Sequence, residues 1–231
     1  MTGTSVIVGG TAGIGLEIAR QLAARGDRVI ITGRDRERAR SVAATLGNKA
    51  EGLAVDISKP LEIAPALSGI EGVRNLVIGA IERDTNTAKE YNVERAMKLV
   101  TLKLVGYVEV IHALVPKFTP DAAIVLFGGV AKDRPYPGST TVSSVNGAVT
   151  AMARTLAVEL APIRVNAIHP GIIGDSPFWA DKKEAQDRIV ARTPIKRLVT
   201  MAEIAHAALF LLDNGGINGT DLTVDGGWLL Q

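Results

Sequence analysis

Short runs of β-branched and aliphatic residues alternate along the chain with longer stretches in which apolar positions recur at the helical period. Residues 5–9, 28–32, 52–55, 75–78, 122–127, 164–168 and 221–224 read as strands. Most of these runs are apolar at consecutive positions rather than at every second one, the pattern of parallel strands covered on both faces. Helical period fits 14–25, 36–46, a short segment 61–67, a long one 93–115, then 141–160 and 201–213. The alternation predicts an α/β fold: a doubly wound, parallel, seven-stranded sheet with helices on both faces. No repeat, low-complexity tract or linker interrupts the pattern, so residues 1–231 are expected to form one domain. The segment 171–194, with its charged stretch 181–188 between prolines, is expected to lie over the ligand face as a lid.

Composition narrows the function without naming it. With 231 residues, 47% hydrophobic and 22% charged, the chain is long enough for one sizeable core. Apolar runs such as 122–130 fall far short of the ~20 residues that cross a bilayer, and no signal-peptide pattern opens the chain, so the cytoplasm is the expected compartment. A net charge of +2 from 26 basic and 24 acidic residues sets up no field for nucleic acid or membrane. The expected partner is a small molecule. There are no cysteines and only three scattered histidines, at 112, 169 and 206, so no metal constellation is expected.

The first strand runs directly into Gly9-Gly10-Thr11-Ala12-Gly13-Ile14-Gly15, which opens a helix. Glycines there let the chain turn sharply and approach a pyrophosphate, while the helix start offers free N–H donors and partial positive charge. The spacing of Gly9, Gly13 and Gly15 resembles the fingerprint of the short-chain dehydrogenase/reductase family, although Val8 stands where that family usually has threonine. The resemblance continues through Asp56-Ile57, Arg164-Val165-Asn166, Pro170-Gly171, Ala202-Glu203-Ile204-Ala205 and Val224-Asp225-Gly226-Gly227. It implies a Rossmann domain in which Gly9, Thr11, Gly13, Ile14 and Gly15 hold the pyrophosphate. By the same resemblance, Asp56 and Ile57 meet the adenine, and Gly79, Ala80, Asn146, Pro170, Gly171 and Ile173 line the rest of the dinucleotide site.

The second strand ends in Gly33-Arg34 rather than in the carboxylate that bonds both ribose hydroxyls of NAD. A guanidinium can clamp a 2′-phosphate with two parallel bonds, so Arg34, with Arg36 or Arg38 beside it, predicts NADP(H). The plain alternative is that the charged run 34–38 is a solvated helix start.

The family's catalytic pattern does not transfer. Aligned from flanking residues, the tyrosine position is Val142, the lysine position Asn146, the serine position Gly129 and the asparagine position Lys103. No tyrosine in the chain is followed by lysine four positions on. An alkoxide formed by carbonyl reduction must still be protonated or stabilised. Lys103 leads the candidates, because it lies among apolar neighbours nearly opposite the polar stripe of Lys98, Thr101, Glu109 and His112; snorkelling to solvent is the competing reading. Tyr136 could donate a proton or be a pocket wall, and Asn146 could keep a ribose hydrogen bond without the charge. His169, beside Pro170, is a minor candidate near the nicotinamide, and Asp133, Ser143, Ser144 and Asp175 are polar residues read as structural. Phe178 and Trp179 in the lid suggest an apolar pocket wall.

Three functions remain open on these residues. The first is an NADPH-dependent oxidoreductase reducing a small carbonyl or quinone-like compound with a proton donor foreign to the family. The second is a catalytically inactive NADP(H) sensor or partner subunit, and the third a lyase or isomerase. The resemblance also implies a homodimer or homotetramer.

Overall fold

A computed structural model of the chain describes residues 3–179 and 181–231. Seven strands form one parallel sheet: β1 (Thr4–Val8), β2 (Arg28–Gly33), β3 (Ala50–Ala54), β4 (Val73–Ile78), β5 (Phe118–Phe127), β6 (Arg164–Pro170) and β7 (Asp221–Val224). Their order is β3-β2-β1-β4-β5-β6-β7. Val6 of β1 stands opposite Ile30 of β2 on one side and Leu76 of β4 on the other, so the chain reverses its winding between β1 and β4. At such a reversal the connections leave in opposite directions beyond the strands' carboxyl ends, and a crevice opens there.

Successive side chains of a strand point to opposite faces, and both faces are apolar here. Val6, Ile30, Leu76 and Ile124 pack on one side with α3 (Ile63–Leu67), α5 (Tyr107–Leu114) and α6 (Thr140–Glu159). Ile7, Ile31, Val77 and Val125 pack on the other against α1 (Gly13–Ala24), α8 (Met201–Asp213) and Ala43 of α2 (Arg36–Ala44). This two-sided burial explains the unbroken apolar runs in the sequence.

Three elements differ from expectation. β5 starts at Phe118 rather than 122, because Pro120 and Asp121 read as a turn but lie in the exposed outer part of an extended strand. The expected lid contains a helix that was not assigned from the sequence, α7 (Lys183–Arg192), in which no residue is fully buried. The long helix is not uniform: α4 (Val93–Val100) passes into a π-helical turn, Thr101–Gly106, before α5. Gly106 permits the close approach, since a Cβ there would come within 2.1 Å of the Ile57 carbonyl oxygen. The continuous helix Val93–Lys117 is long and apolar enough, by length and composition, to cross a bilayer. In this fold its apolar face, with Leu102, Val110 and Leu114, is buried against the sheet.

Candidate cofactor cleft and active site

A cleft of about 620 Å³ opens at the carboxyl ends of β1 and β4; the leading candidates Lys103, Tyr136 and Asn146 and the residues expected to hold the dinucleotide line it, whereas His169, Arg36 and Arg38 do not. At one end Gly9 and Gly13 adopt φ of +86° and +55°, and a Cβ on Gly15 would lie 2.3 Å from the Gly9 carbonyl oxygen. Sterics exclude a side chain at Gly15, and positive φ disfavours one at Gly9 and Gly13. Ala12 precedes α1 without a side-chain cap, and the first turn of α1 has no acid, so its N–H groups face the cleft free of an internal anion. Open space stands where Gly13 would carry a Cβ. These features fit a pyrophosphate.

The absence of an acid at the end of β2 also has a steric cause. A Cβ on Gly33 would meet Thr11 Cγ2 at 2.7 Å. Arg34 lies beside it, largely exposed, with Nη1 3.2 Å from Glu82 Oε2; Lys98 shares that carboxylate at 3.3 Å. Asp56 Oδ1 accepts from the Ser58 N–H (3.0 Å) and hydroxyl (2.7 Å). Burial pushes the Asp56 carboxyl up, but the Ser58 bonds, with Arg34 and Lys59 nearby, outweigh it and hold it below its ordinary value.

At the floor, Lys103 is 1% exposed. Its Nζ donates to the Phe127 carbonyl oxygen at 2.5 Å and to Tyr107 Oη at 2.8 Å, and the tyrosine donates in turn to the Ala80 carbonyl oxygen at 3.0 Å. Lys103 does not snorkel. Burial pushes its ammonium down to about 7 and pushes the Tyr107 phenol up. An ammonium has three protons, and two protein acceptors leave one for whatever stands in the cleft. Tyr107 is the residue that sequence reasoning missed. Its spacing of four from Lys103 was the available signal, hidden because a tyrosine on an apolar helix face reads as core.

Beyond Phe127 the chain turns through Gly128-Gly129, where His169 crowds the first glycine and Asn146 the second. The imidazole is fully buried and does not itself line the cleft, although its neighbours Gly129 and Pro170 do. A Cβ on Gly128 would come 2.3 Å from His169 Nδ1. That nitrogen accepts the Gly129 N–H at 3.0 Å, which places the ring proton on Nε2, facing Asp221 Oδ1 (3.2 Å) and Thr150 Oγ1 (3.3 Å). Asp221 also receives Arg154, at 3.2 Å. Burial dominates and holds the imidazole below its ordinary pKa, against the pull of Asp221, so the ring stays neutral. A Cβ on Gly129 would in turn stand 2.9 Å from Asn146 Nδ2, so the buried amide occupies the space beside that glycine.

The family model described as "Enoyl-(Acyl carrier protein) reductase" matches residues 9–229. The chain belongs to the short-chain dehydrogenase/reductase family. It is 32% identical to carbonyl reductase family member 4 of Danio rerio, over 98% of both chains. It is 31% identical to the 3-oxoacyl-[acyl-carrier-protein] reductase of Bos taurus, over 96% of this chain and 95% of that one. A solved structure of a variant actinorhodin polyketide ketoreductase with NADPH superposes with a TM-score of 0.89 at 26% identity, covering 100% of this chain and 98% of the other.

In this short-chain dehydrogenase/reductase, Val142 and Asn146 of α6 face the cleft together with Lys103, Gly129 and the half-exposed Tyr136. The minor candidates are engaged elsewhere. Asp133 pairs with Lys132 (2.7 Å), Ser143 donates to Ser139, Ser144 donates to the Thr140 carbonyl, and Asp175 accepts the Met201 N–H at the start of α8. Phe178 and Trp179 line the cleft as anticipated. Arg134 lines it too, in the loop 132–140 that was expected to wall the pocket; Arg83 and Trp228 also line it and were not anticipated, because an isolated arginine and a carboxyl-terminal tryptophan carry no motif.

Proposed function

We propose that this protein is an NADPH-dependent reductase of a small conjugated carbonyl or quinone-like compound in which Lys103 is the proton donor. The observation that carries the reading is the buried Lys103 ammonium at the cleft floor, with two of its protons committed to Phe127 and Tyr107. The names of the carbonyl and oxoacyl reductase relatives support the reaction class. Bound NADPH supplies the hydride. Lys103 delivers a proton to the developing oxyanion, and Tyr107 and the Phe127 carbonyl hold its Nζ in place. Asn146 contributes an amide toward the ribose and Tyr136 forms part of the wall. Arg34 beside the bare Gly33 supports NADP(H) over NAD(H). On alignment with the family, Val142, Asn146, Gly129 and Lys103 replace its tyrosine, lysine, serine and asparagine, which makes the member atypical.

NADPH oxidation followed optically against aldehydes, ketones, diketones and quinones, with NADH in parallel, tests the reading. Turnover with NADPH and little with NADH is expected. Nucleotide binding without turnover across the panel would favour the second reading, a sensor or partner subunit, which the apolar Val142 at the cleft wall supports. Assembly as a homodimer or homotetramer in the cytoplasm completes the proposal; the exposed apolar side chains Val93, Met97, Val100 and Val108 along the long helix support self-association.

A further inference from the structure

The outer half of the cleft has a composition unlike the rest of the protein. Only 4% of the chain is aromatic, yet five of its nine aromatic side chains line this one cleft: Phe127, Tyr136, Phe178, Trp179 and Trp228. Phe178 and Trp179 meet edge to face, with ring centroids 5.4 Å apart. Such surfaces gain most from a flat, conjugated ligand.

Cations are interleaved with these rings. Arg83 lies over Phe178 with Cζ 3.4 Å from the ring centroid, and Lys182 lies 3.1 Å from the same centroid. Arg134 lies 4.2 Å over Trp228 and donates to the Trp228 carbonyl oxygen at 2.6 Å. Among the described residues neither Arg83 nor Arg134 forms an ion pair with a carboxylate. The two acids that line the cleft are committed at the cofactor end, Asp56 to Ser58 and Glu82 to Arg34 and Lys98. Burial already disfavours the charged form of Arg83. Two guanidinium groups held on aromatic faces, with no internal counter-charge, leave their hydrogen-bond donors for an anion that arrives with the ligand.

We infer that the substrate of this cleft is an aromatic or otherwise planar conjugated carbonyl compound bearing an anionic group, a carboxylate or its equivalent, which Arg83 and Arg134 receive while the rings of the lid cover its flat body. The inference rests on the reductase reading for the carbonyl, and on the rim alone for the aromatic and anionic parts.

The test separates the two. Benzoylformate and its uncharged methyl ester are titrated into the NADP⁺-loaded protein, with binding read by tryptophan fluorescence and, separately, NADPH oxidation followed with each compound. The charged compound is expected to bind at least tenfold more tightly than the ester at low salt, and that margin is expected to shrink as salt is raised. Arg83→Met and Arg134→Lys are each expected to raise the dissociation constant for benzoylformate several-fold and to leave the ester and NADPH unaffected. Equal affinity for the two compounds, no binding of either, or losses that are the same for both in the variants would overturn the inference. Preferential binding of benzoylformate without NADPH oxidation would support it and count against the reductase reading. Oxidation that proceeds equally well with the ester would do the reverse.

Discussion

Lys103 is buried beneath the cleft with two acceptors on Nζ, and its behaviour with pH follows from that setting. With an ammonium that loses its proton near 7, reduction is expected to slow about tenfold per pH unit above that value, because only the charged form donates. Lys103→Met should lower the turnover number by about 10²- to 10⁴-fold, flatten the pH profile and leave NADPH affinity unchanged; an unchanged rate would remove Lys103 from the chemistry. Stability carries the same signature. Between about 7 and the ordinary lysine value of 10.5 the unfolded chain binds the proton that the folded one has released, so this group makes the fold more stable as pH rises through that window. Tyr107→Phe tests positioning apart from structure: it removes one acceptor from Nζ, and it should move the midpoint of the rate profile while the midpoint of thermal unfolding changes little. Arg34→Ala is expected to erase most of the preference for NADPH over NADH, read as the ratio of their Michaelis constants.

At the scale of elements, the period of the apolar residues located all seven strands, since each lies between two covered faces. Where the pattern misled, the reason is burial. α7 half-buries only positions such as Ile189 and Val190, and the outer end of β5 has an exposed Pro120-Asp121, so neither declares itself through hydrophobicity. The π-helical turn at Thr101–Gly106 escapes a reading that assumes 3.6 residues per turn, although the face assigned to Lys103 on that assumption was the buried one. Candidate ligands carried by motifs came together in one cleft, whereas Arg83, Arg134 and Trp228 are brought there, and Tyr107 is brought behind Lys103, by the fold from separate stretches. The start of α8 at Met201 was legible from its apolar period, and the structure closes it with Thr200 and Glu203 in a reciprocal cap, each accepting the other's N–H. Thr200→Ala should cost about 1 kcal/mol, measured by urea unfolding, with nucleotide affinity retained because the cap lies outside the cleft.

Across the whole molecule, the cleft joins residues from both halves of the sheet, so a dinucleotide bound there ties those halves together. NADPH at a hundredfold excess over its dissociation constant should stabilise the fold by about 2.7 kcal/mol, seen as a rise in the thermal midpoint that NADH at equal concentration does not match. If the exposed face of the long helix carries a second copy, Met97→Glu should lower the oligomeric state measured by light scattering while leaving the monomer folded. The buried His169 has a consequence of another kind, for the order in which this chain could change. A serine at 128 collides with the imidazole, and removing the imidazole first strands the Gly129 N–H and leaves a void against Asp221 and Thr150. Either single step passes through a damaged intermediate. A side chain at 128 therefore requires a coordinated replacement of His169 on β6, whereas one at 129 has to displace the Asn146 amide instead, so the two adjacent glycines are locked by different partners.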